Sequence, residues 1–391
     1  MGTDDIAAFN HVGHCVTDLD RARRFLVANV TEEMLLREHE TGDGFIEELH
    51  LAMGAAGWLE PDAKSAQDGG FTAIQRRIWN LERQRAKLPL ETWGGTLMIL
   101  GAVRRFGSPE LLDEVLPGVY RGDVRLAMGY TEPEGGSDIA TCKTRAVRDG
   151  DEWVINGQKM FTSGAHNCRY IFLLTNTDPN GRRHHNLTMF LVPTDSAGIE
   201  IQGLRTVDGE RTNITYYSDV HIPDRYRLGD VNEGWAVLNG PLSAEHGAGG
   251  ADPAGLADIA TMGSFGATMA STADAVAAVA AVDDESIAYR LGRAHARIEA
   301  ALSTPGIFGR VAIAQTMRDI APDLMDVLGS SSVLPEGATG ASTVEHLYRW
   351  APLIGIYGGT IEVFRNMIAQ YVLGLGKPNY SPPAAKGSTT P

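Results

Sequence analysis

Cysteine is scarce in this chain of 391 residues, and the three that occur, Cys15, Cys142 and Cys168, show neither CxxC nor CxxxH spacing. An odd number without such spacing indicates neither a disulfide framework nor a zinc site. Runs of clustered Lys and Arg are absent as well, and the formal charge is −15. That sign is opposite to what a phosphate backbone selects, so nucleic acid is not expected as a partner. Long hydrophobic runs are missing too. The most alanine-rich stretch, Gly263 to Val282, is broken by Asp274 and by Ser and Thr, short of the roughly 20 apolar residues of a membrane span, and reads as a packed helix. Met1-Gly-Thr-Asp-Asp has no basic n-region followed by an apolar h-region, so no secretory signal is expected, and a reducing cytoplasm suits the cysteine usage. No strand-GxGxxG-helix unit stands near the start, which argues against a nicotinamide dinucleotide. His166, His184 and His185 lack ligand spacing and read as surface or turn residues, so no metal is expected.

The length exceeds what one hydrophobic core usually serves, so two or three layers or subdomains are expected. From Asp18 to Tyr120 apolar residues recur at helical spacing, as at Phe25, Leu26 and Val30 or Ile46, Leu49 and Met53. Between Val124 and Leu228 the pattern turns to short β-rich runs: Trp153–Ile155, Tyr170–Leu174, Leu187–Val192 and Thr215–Val220, separated by Asp-Gly, Asn-Gly and Ala-Gly turns. Helical spacing then returns around Gly234–Ala244, Gly255–Val282, Ser286–Leu302, Ile307–Leu328 and Leu347–Leu375. The expected division is a helical domain over 1–122, a β domain over 123–230, a helical bundle of four helices over 231–378 and a disordered tail over 379–391, rich in Pro, Ser, Thr and Gly.

The chemistry concentrates in two stretches. Met128-Gly-Tyr-Thr-Glu-Pro-Glu-Gly-Gly-Ser-Asp138 is followed some twenty residues on by Asn156-Gly-Gln-Lys-Met-Phe-Thr-Ser163. A turn with two glycines and a serine can aim successive backbone N–H groups at a phosphate, while Thr131 and Ser163 offer hydroxyls and amides to a flat heteroaromatic ring. Alone, a Gly-Gly-Ser turn is ordinarily a hairpin loop; the pair suits a flavin dinucleotide. Together the two stretches resemble the acyl-CoA dehydrogenase family, whose middle domain carries a Thr-Glu-Pro-x-x-Gly-Ser-Asp loop and then an Asn-Gly-x-Lys-x-Trp/Phe-Thr/Ser stretch.

The resemblance covers nearly the whole chain after residue 20 and implies an α+β fold with N-terminal helices, a middle sheet domain and a C-terminal bundle. It also implies FAD as cofactor, an acyl-CoA thioester as substrate and an electron-transfer flavoprotein or similar acceptor. Carried over by position, Met128, Tyr130 and Thr131 lie along the flavin, Gly136 and Ser137 face the pyrophosphate, and Phe161, Thr162 and Ser163 cover the other side, with Ser163 at flavin N5. In the family a carboxylate takes the α-proton while the thioester carbonyl is polarised, and the β-hydride goes to the flavin.

One departure stands out. Many relatives hold the catalytic glutamate in a Tyr-Glu-Gly-Thr motif, whereas this chain reads Tyr357-Gly358-Gly359-Thr360-Ile-Glu362. Gly358 retains an N–H for the thioester but has no carboxylate. A second branch of the family places the base in a Glu-Arg pair after a Gly-Trp motif, and here Gly234-Trp235 leads to Glu245-His246. Glu245 lies three residues from Leu242 and seven from Leu238, on an apolar helical face that raises a carboxylate's pKa, so it is the expected base. Thr360 and Glu362 are expected near the AMP half of FAD. The arginine that homotetrameric members use on a neighbour's pyrophosphate, and their later Gly-Gly-x-Gly turn, are replaced by Gly263-Ser-Phe-Gly and Leu328-Gly-Ser-Ser-Ser. Losing that charged contact resembles the heteromeric actinobacterial acyl-CoA dehydrogenases of steroid side-chain catabolism, which implies a second acyl-CoA dehydrogenase-like subunit and a bulky acyl group. An acyl-CoA oxidase and a non-catalytic subunit remain open alternatives. Separately, Phe9 to Phe25 resembles the opening of a vicinal-oxygen-chelate domain, in which His11 would be a ligand, but the other ligands are missing.

Overall fold

The computed structural model describes residues 19–89, 91–245, 256–333 and 343–376. Residues 1–18, with His11 and Cys15, and the tail at 379–391 lie outside that set. Among the described residues seven helices come first: α1 (19–29), α2 (Glu32–Thr41), α3 (Glu47–Ala55), α4 (Leu59–Ala63), α5 (Ala73–Arg85), α6 (Glu91–Phe106) and α7 (Pro109–Arg121). Side chains set several of their starts. Thr31 caps α2, Thr72 and Gln75 form a reciprocal capping box on α5, and Ser108 caps α7 ahead of Pro109. Trp58 and Trp79 stack at 4.5 Å between these helices.

Eight strands follow: β1 (Leu126–Gly129), β2 (Arg145–Asp149), β3 (Glu152–Lys159), β4 (Tyr170–Asn176), β5 (Leu187–Pro193), β6 (Ile199–Arg205), β7 (Arg211–Pro223) and β8 (Arg227–Leu228). They form one sheet in the order β6-β7-β3-β2-β4-β5-β8, with β1 parallel to β4 off that path. β4 and β5 are buried almost throughout, so they read as continuous apolar runs. The other four strands escape the apolar pattern because they are short or, like β6, largely exposed. β3 carries a bulge at Gly157, whose φ is 145° and where an added Cβ would sit 2.7 Å from the Thr144 Cα; only glycine fits there.

The last block holds α8 (Gly234–Glu245), α9 (Leu256–Val279), α10 (Glu285–Leu302), α11 (Gly306–Leu328), α12 (Thr343–Trp350) and α13 (Ile361–Met367). One hydrophobic core joins α1–α7 to the sheet, and α8 belongs to it through buried Val237 and Leu238. The domain boundary expected at 231 therefore falls before a helix that packs backwards. A second core lies within α9–α13. Between the two, Arg349 of α12 donates to the Val207 carbonyl at 3.0 Å in the β6–β7 turn, and α5 meets α9.

The helical spacing over Leu347–Leu375 does not give one continuous helix. The chain breaks after Trp350, where Pro352 removes a donor and Gly358 and Gly359 take φ of 64° and 100°. It restarts at α13 because the Thr360 side chain accepts the Val363 N–H. A π-helical turn over Ile368–Val372 follows.

Candidate active site

A buried ion pair joins the two sequence motifs. Lys159, at the end of β3, is 0% exposed and donates to Glu132 Oε1 at 2.8 Å and to the Tyr130 carbonyl at 3.2 Å. The Glu132 carboxylate, 7% exposed, also accepts the backbone N–H groups of Lys143 at 2.7 Å and Thr144 at 2.8 Å. Burial alone would push this carboxyl up; the Lys159 ammonium and the Thr144 bonds outweigh it and hold the group at about 2. A second tie runs from Met160 N to the Thr131 carbonyl at 2.8 Å. The Thr131 segment and the end of β3 are thus fixed side by side. Neither charge figured among the site residues expected from sequence, although both stand inside the motifs as opposite charges.

The loop beyond this anchor faces solvent. Glu132 and Gly135 exchange backbone hydrogen bonds at 3.1 and 3.2 Å, closing a tight turn, and Gly136 and Ser137 follow it exposed. A Cβ on Gly136 would meet nothing closer than the Thr131 methyl at 3.7 Å, so its backbone is open to a ligand. The flanking carboxylates are spoken for: Glu134 pairs with Lys143, and Asp138 with Arg183. This neutralisation favours an approaching phosphate.

Phe161 is 54% exposed with φ 57°. A bulky residue in the left-handed region stores strain on the order of 1–3 kcal/mol, and here the neighbouring residues impose it. Thr162, fully buried, donates its N–H to the Asn213 carbonyl at 2.9 Å, and the Asn213 side-chain amide returns a bond to the Thr162 carbonyl at 3.0 Å. Ser163 Oγ lies 2.9 Å from Thr212 Oγ1. The segment is strapped to β7, and Phe161 is presented outward instead of joining the core. Met128 lies on β1 beside Phe172 in register, and Tyr130 is buried edge-on against the Phe172 ring.

The histidines divide. His166 is not a free surface residue: its Nε2 lies 3.0 Å from Asp43 Oδ1, and its Nδ1 lies 3.1 Å from Asn213 Nδ2. Burial and Arg211 lower its pKa against the raising effect of Asp43. His184 stacks on Trp235 at 4.2 Å, and His185 approaches Glu233 at 3.8 Å on the surface. No group of three or more His, Cys, Asp or Glu able to hold a metal occurs among the described residues.

The remaining expected residues come from the C-terminal half. Tyr357–Glu362 caps the second core, with Thr360 as N-cap and Glu362 exposed in the first turn of α13. Arg310 of α11 donates to the Tyr357 carbonyl at 2.7 Å, immediately before Gly358. Helix α8 runs through Pro241 without ending and reaches Glu245. On that helix Leu238 is fully buried and Leu242 half-buried. The Glu245 side chain and His246 lie outside the described residues.

The profile "Acyl-CoA dehydrogenase, middle domain" matches residues 127–221, and "Acyl-CoA dehydrogenase, C-terminal domain" matches 305–373. Among curated relatives, the acyl-CoA dehydrogenase FadE29 of Mycobacterium tuberculosis is 39% identical over 45% of this chain, and the match spans 46% of that relative's length. The acyl-CoA dehydrogenase IpdE1 of the same organism is 31% identical over 69% of this chain and 72% of its own. Among solved structures, the "Tcur3481-Tcur3483 steroid ACAD" superposes with a TM-score of 0.78 at 27% identity, covering 94% of this chain and 98% of that one. No helix among the described residues is long and apolar enough to cross a membrane.

Proposed function

The chain belongs to the acyl-CoA dehydrogenase family, and from that premise we propose that it carries out FAD-dependent α,β-dehydrogenation of an acyl-CoA with a bulky acyl group, a steroid side chain being the leading candidate. The observation that carries the reading is the Glu132–Lys159 pair, which brings the open Gly136-Ser137 turn and the outward Phe161-Ser163 segment together on one sheet. An exposed aromatic, a hydroxyl and a turn of free backbone suit a flat ring with a diphosphate tail.

In this reading Met128, Tyr130 and Thr131 line the ring, Gly136 and Ser137 hold the diphosphate, and Phe161, Thr162 and Ser163 cover the opposite side. FAD, when bound, supplies the acceptor for the hydride leaving the β-carbon. Glu245 takes the α-proton, from a helical face whose apolar neighbours favour a basic carboxylate. The Gly358 N–H stabilises charge developing on the thioester oxygen. Thr360 and Glu362 serve the AMP half. A second acyl-CoA dehydrogenase-like subunit supplies the diphosphate arginine that this chain lacks, electrons pass to an electron-transfer flavoprotein or similar acceptor, and the enzyme works in the cytoplasm. Likeness to the Tcur3481-Tcur3483 steroid ACAD supports the assembly.

A second reading, a non-catalytic subunit, is favoured by Gly358 at the usual glutamate position. Co-expression with an acyl-CoA dehydrogenase-like partner separates the two. The expected complex is yellow, releases FAD and not FMN on denaturation, and bleaches when a bulky acyl-CoA is added without oxygen. A colourless complex would establish the second reading, and peroxide formation in air as the main fate of the electrons would identify an oxidase. The single chain should hold FAD at well under one per subunit; full occupancy alone would refute the partner's role.

A further inference from the structure

We infer that Arg310 is the positioning residue that aims the Gly358 N–H at the substrate thioester. This rests on the reading of Gly358 given above and deepens it. The Tyr357 carbonyl and the Gly358 N–H belong to one peptide unit, which is planar, and no cis peptide occurs among the described residues. In a trans unit the C=O and N–H point in opposite directions. Arg310 Nη2 holds the Tyr357 oxygen at 2.7 Å, so the Gly358 N–H is directed away from α11.

The torsions that flank this unit are ψ of Tyr357 and φ of Gly358, and the second carries no Cβ restraint: Gly358 takes φ 64°. The guanidinium is held in turn. Arg310 is 5% exposed, and its guanidinium carbon lies 5.5 Å from the Phe364 ring centroid and 6.0 Å from that of Tyr357. Phe364 is itself fixed on α13, which the Thr360 cap starts in a set place. The Gly358 N–H has no hydrogen-bond partner among the described residues. It is an oriented donor left available, which is what stabilisation of a developing oxyanion requires.

The test uses the flavin-loaded complex and an enoyl-CoA labelled isotopically at its thioester carbonyl, a ligand that is not oxidised further. Difference infrared spectroscopy should show the carbonyl stretch of the wild-type complex lowered relative to the free thioester. In Arg310→Met, at least half of that lowering should disappear, and flavin bleaching by acyl-CoA should slow roughly 10-fold to 100-fold, the scale of a donor displaced by about 1 Å. Ligand affinity should change by less than about 3-fold, because the rest of the CoA contacts survive. Arg310→Lys, which keeps one donor, should recover part of both effects. Should the methionine variant fail to assemble, Arg310→Gln, too short to reach the carbonyl, carries the same expectation. A lowered wild-type stretch that persists unchanged in both variants overturns the role of Arg310. A wild-type stretch no lower than in water overturns the role of Gly358, and the inference with it.

Discussion

Replacing Lys159 with Met should destabilise the protein by about 3 kcal/mol at pH 7 and strip it of flavin. The size follows from the partner. The Glu132 carboxyl sits at about 2 against an ordinary 4.5, and at about 1.4 kcal/mol per tenfold in proton affinity the folded protein favours its charged form by about 3 kcal/mol. Glu132 is 7% exposed, so solvent screens little of this. Lys159→Met leaves the carboxylate with the Lys143 and Thr144 amides and the Cys142 thiol at 3.3 Å, and removing one member of a buried pair costs roughly 3–5 kcal/mol in other proteins. The sign with pH is set by the depressed value. The stabilisation is fully present above the unfolded carboxyl's pKa, near 4.5, and is lost as the pH falls toward 2. Between pH 7 and pH 4 the wild type should therefore lose stability through Glu132, whereas in the variant that loss should shrink or reverse, because the unpaired Glu132 of the folded protein takes up its proton at higher pH. The double variant Glu132→Gln with Lys159→Met should regain part of the loss, because no buried charge is left unpaired. A Lys159→Met protein within about 0.5 kcal/mol of wild type, well below the cost of an orphaned buried charge, with full flavin content, would refute the claim that this pair fastens the two motifs.

Glu245→Gln should keep acyl-CoA and FAD binding while substrate bleaching of the flavin slows by roughly 10²-fold to 10⁴-fold, the scale of a lost general base; bleaching at the wild-type rate would move the base elsewhere, with Glu362 next to test. Gly358→Ala places a Cβ at φ 64°, costing about 1 kcal/mol or more; with the N–H misaligned, flavin bleaching should slow while proton transfer persists and KM stays near wild type, because the donor acts on charge that develops in the transition state. Burial pushes the Cys142 thiol up to about 11 and Cys168 up to about 12, so at pH 8 both should resist alkylation in the native protein and react in urea. Mass mapping of labelled peptides decides this, and prompt native labelling of Cys142 would contradict its burial beneath Glu132 and Lys159.

The amino-acid sequence by itself determined the helix, sheet, helix order, because period and turn chemistry are local properties. The apolar runs of β4 and β5 and the helical spacing of α10 and α11 were legible for that reason. So were the two motifs, Thr131 to Ser137 and Phe161 to Ser163, since each is contiguous. Tertiary structure decided which side chains act on them. Asn213 straps Thr162 from 51 residues away, Arg310 reaches Tyr357 across 47, and Asp43 meets His166 across 123; no pattern within a window of helical or strand length contains such partners. The break after Trp350 shows the same limit from the other side. Apolar spacing continued through it, but Pro352 and the free rotation of Gly358 and Gly359 let packing against α11 set the backbone. Burial is the physical reason throughout. A charge or a strained φ gains its function only where neighbouring elements exclude water and hold it, as β1, β2 and β3 do for Glu132 and Lys159, and that exclusion exists only in the folded chain.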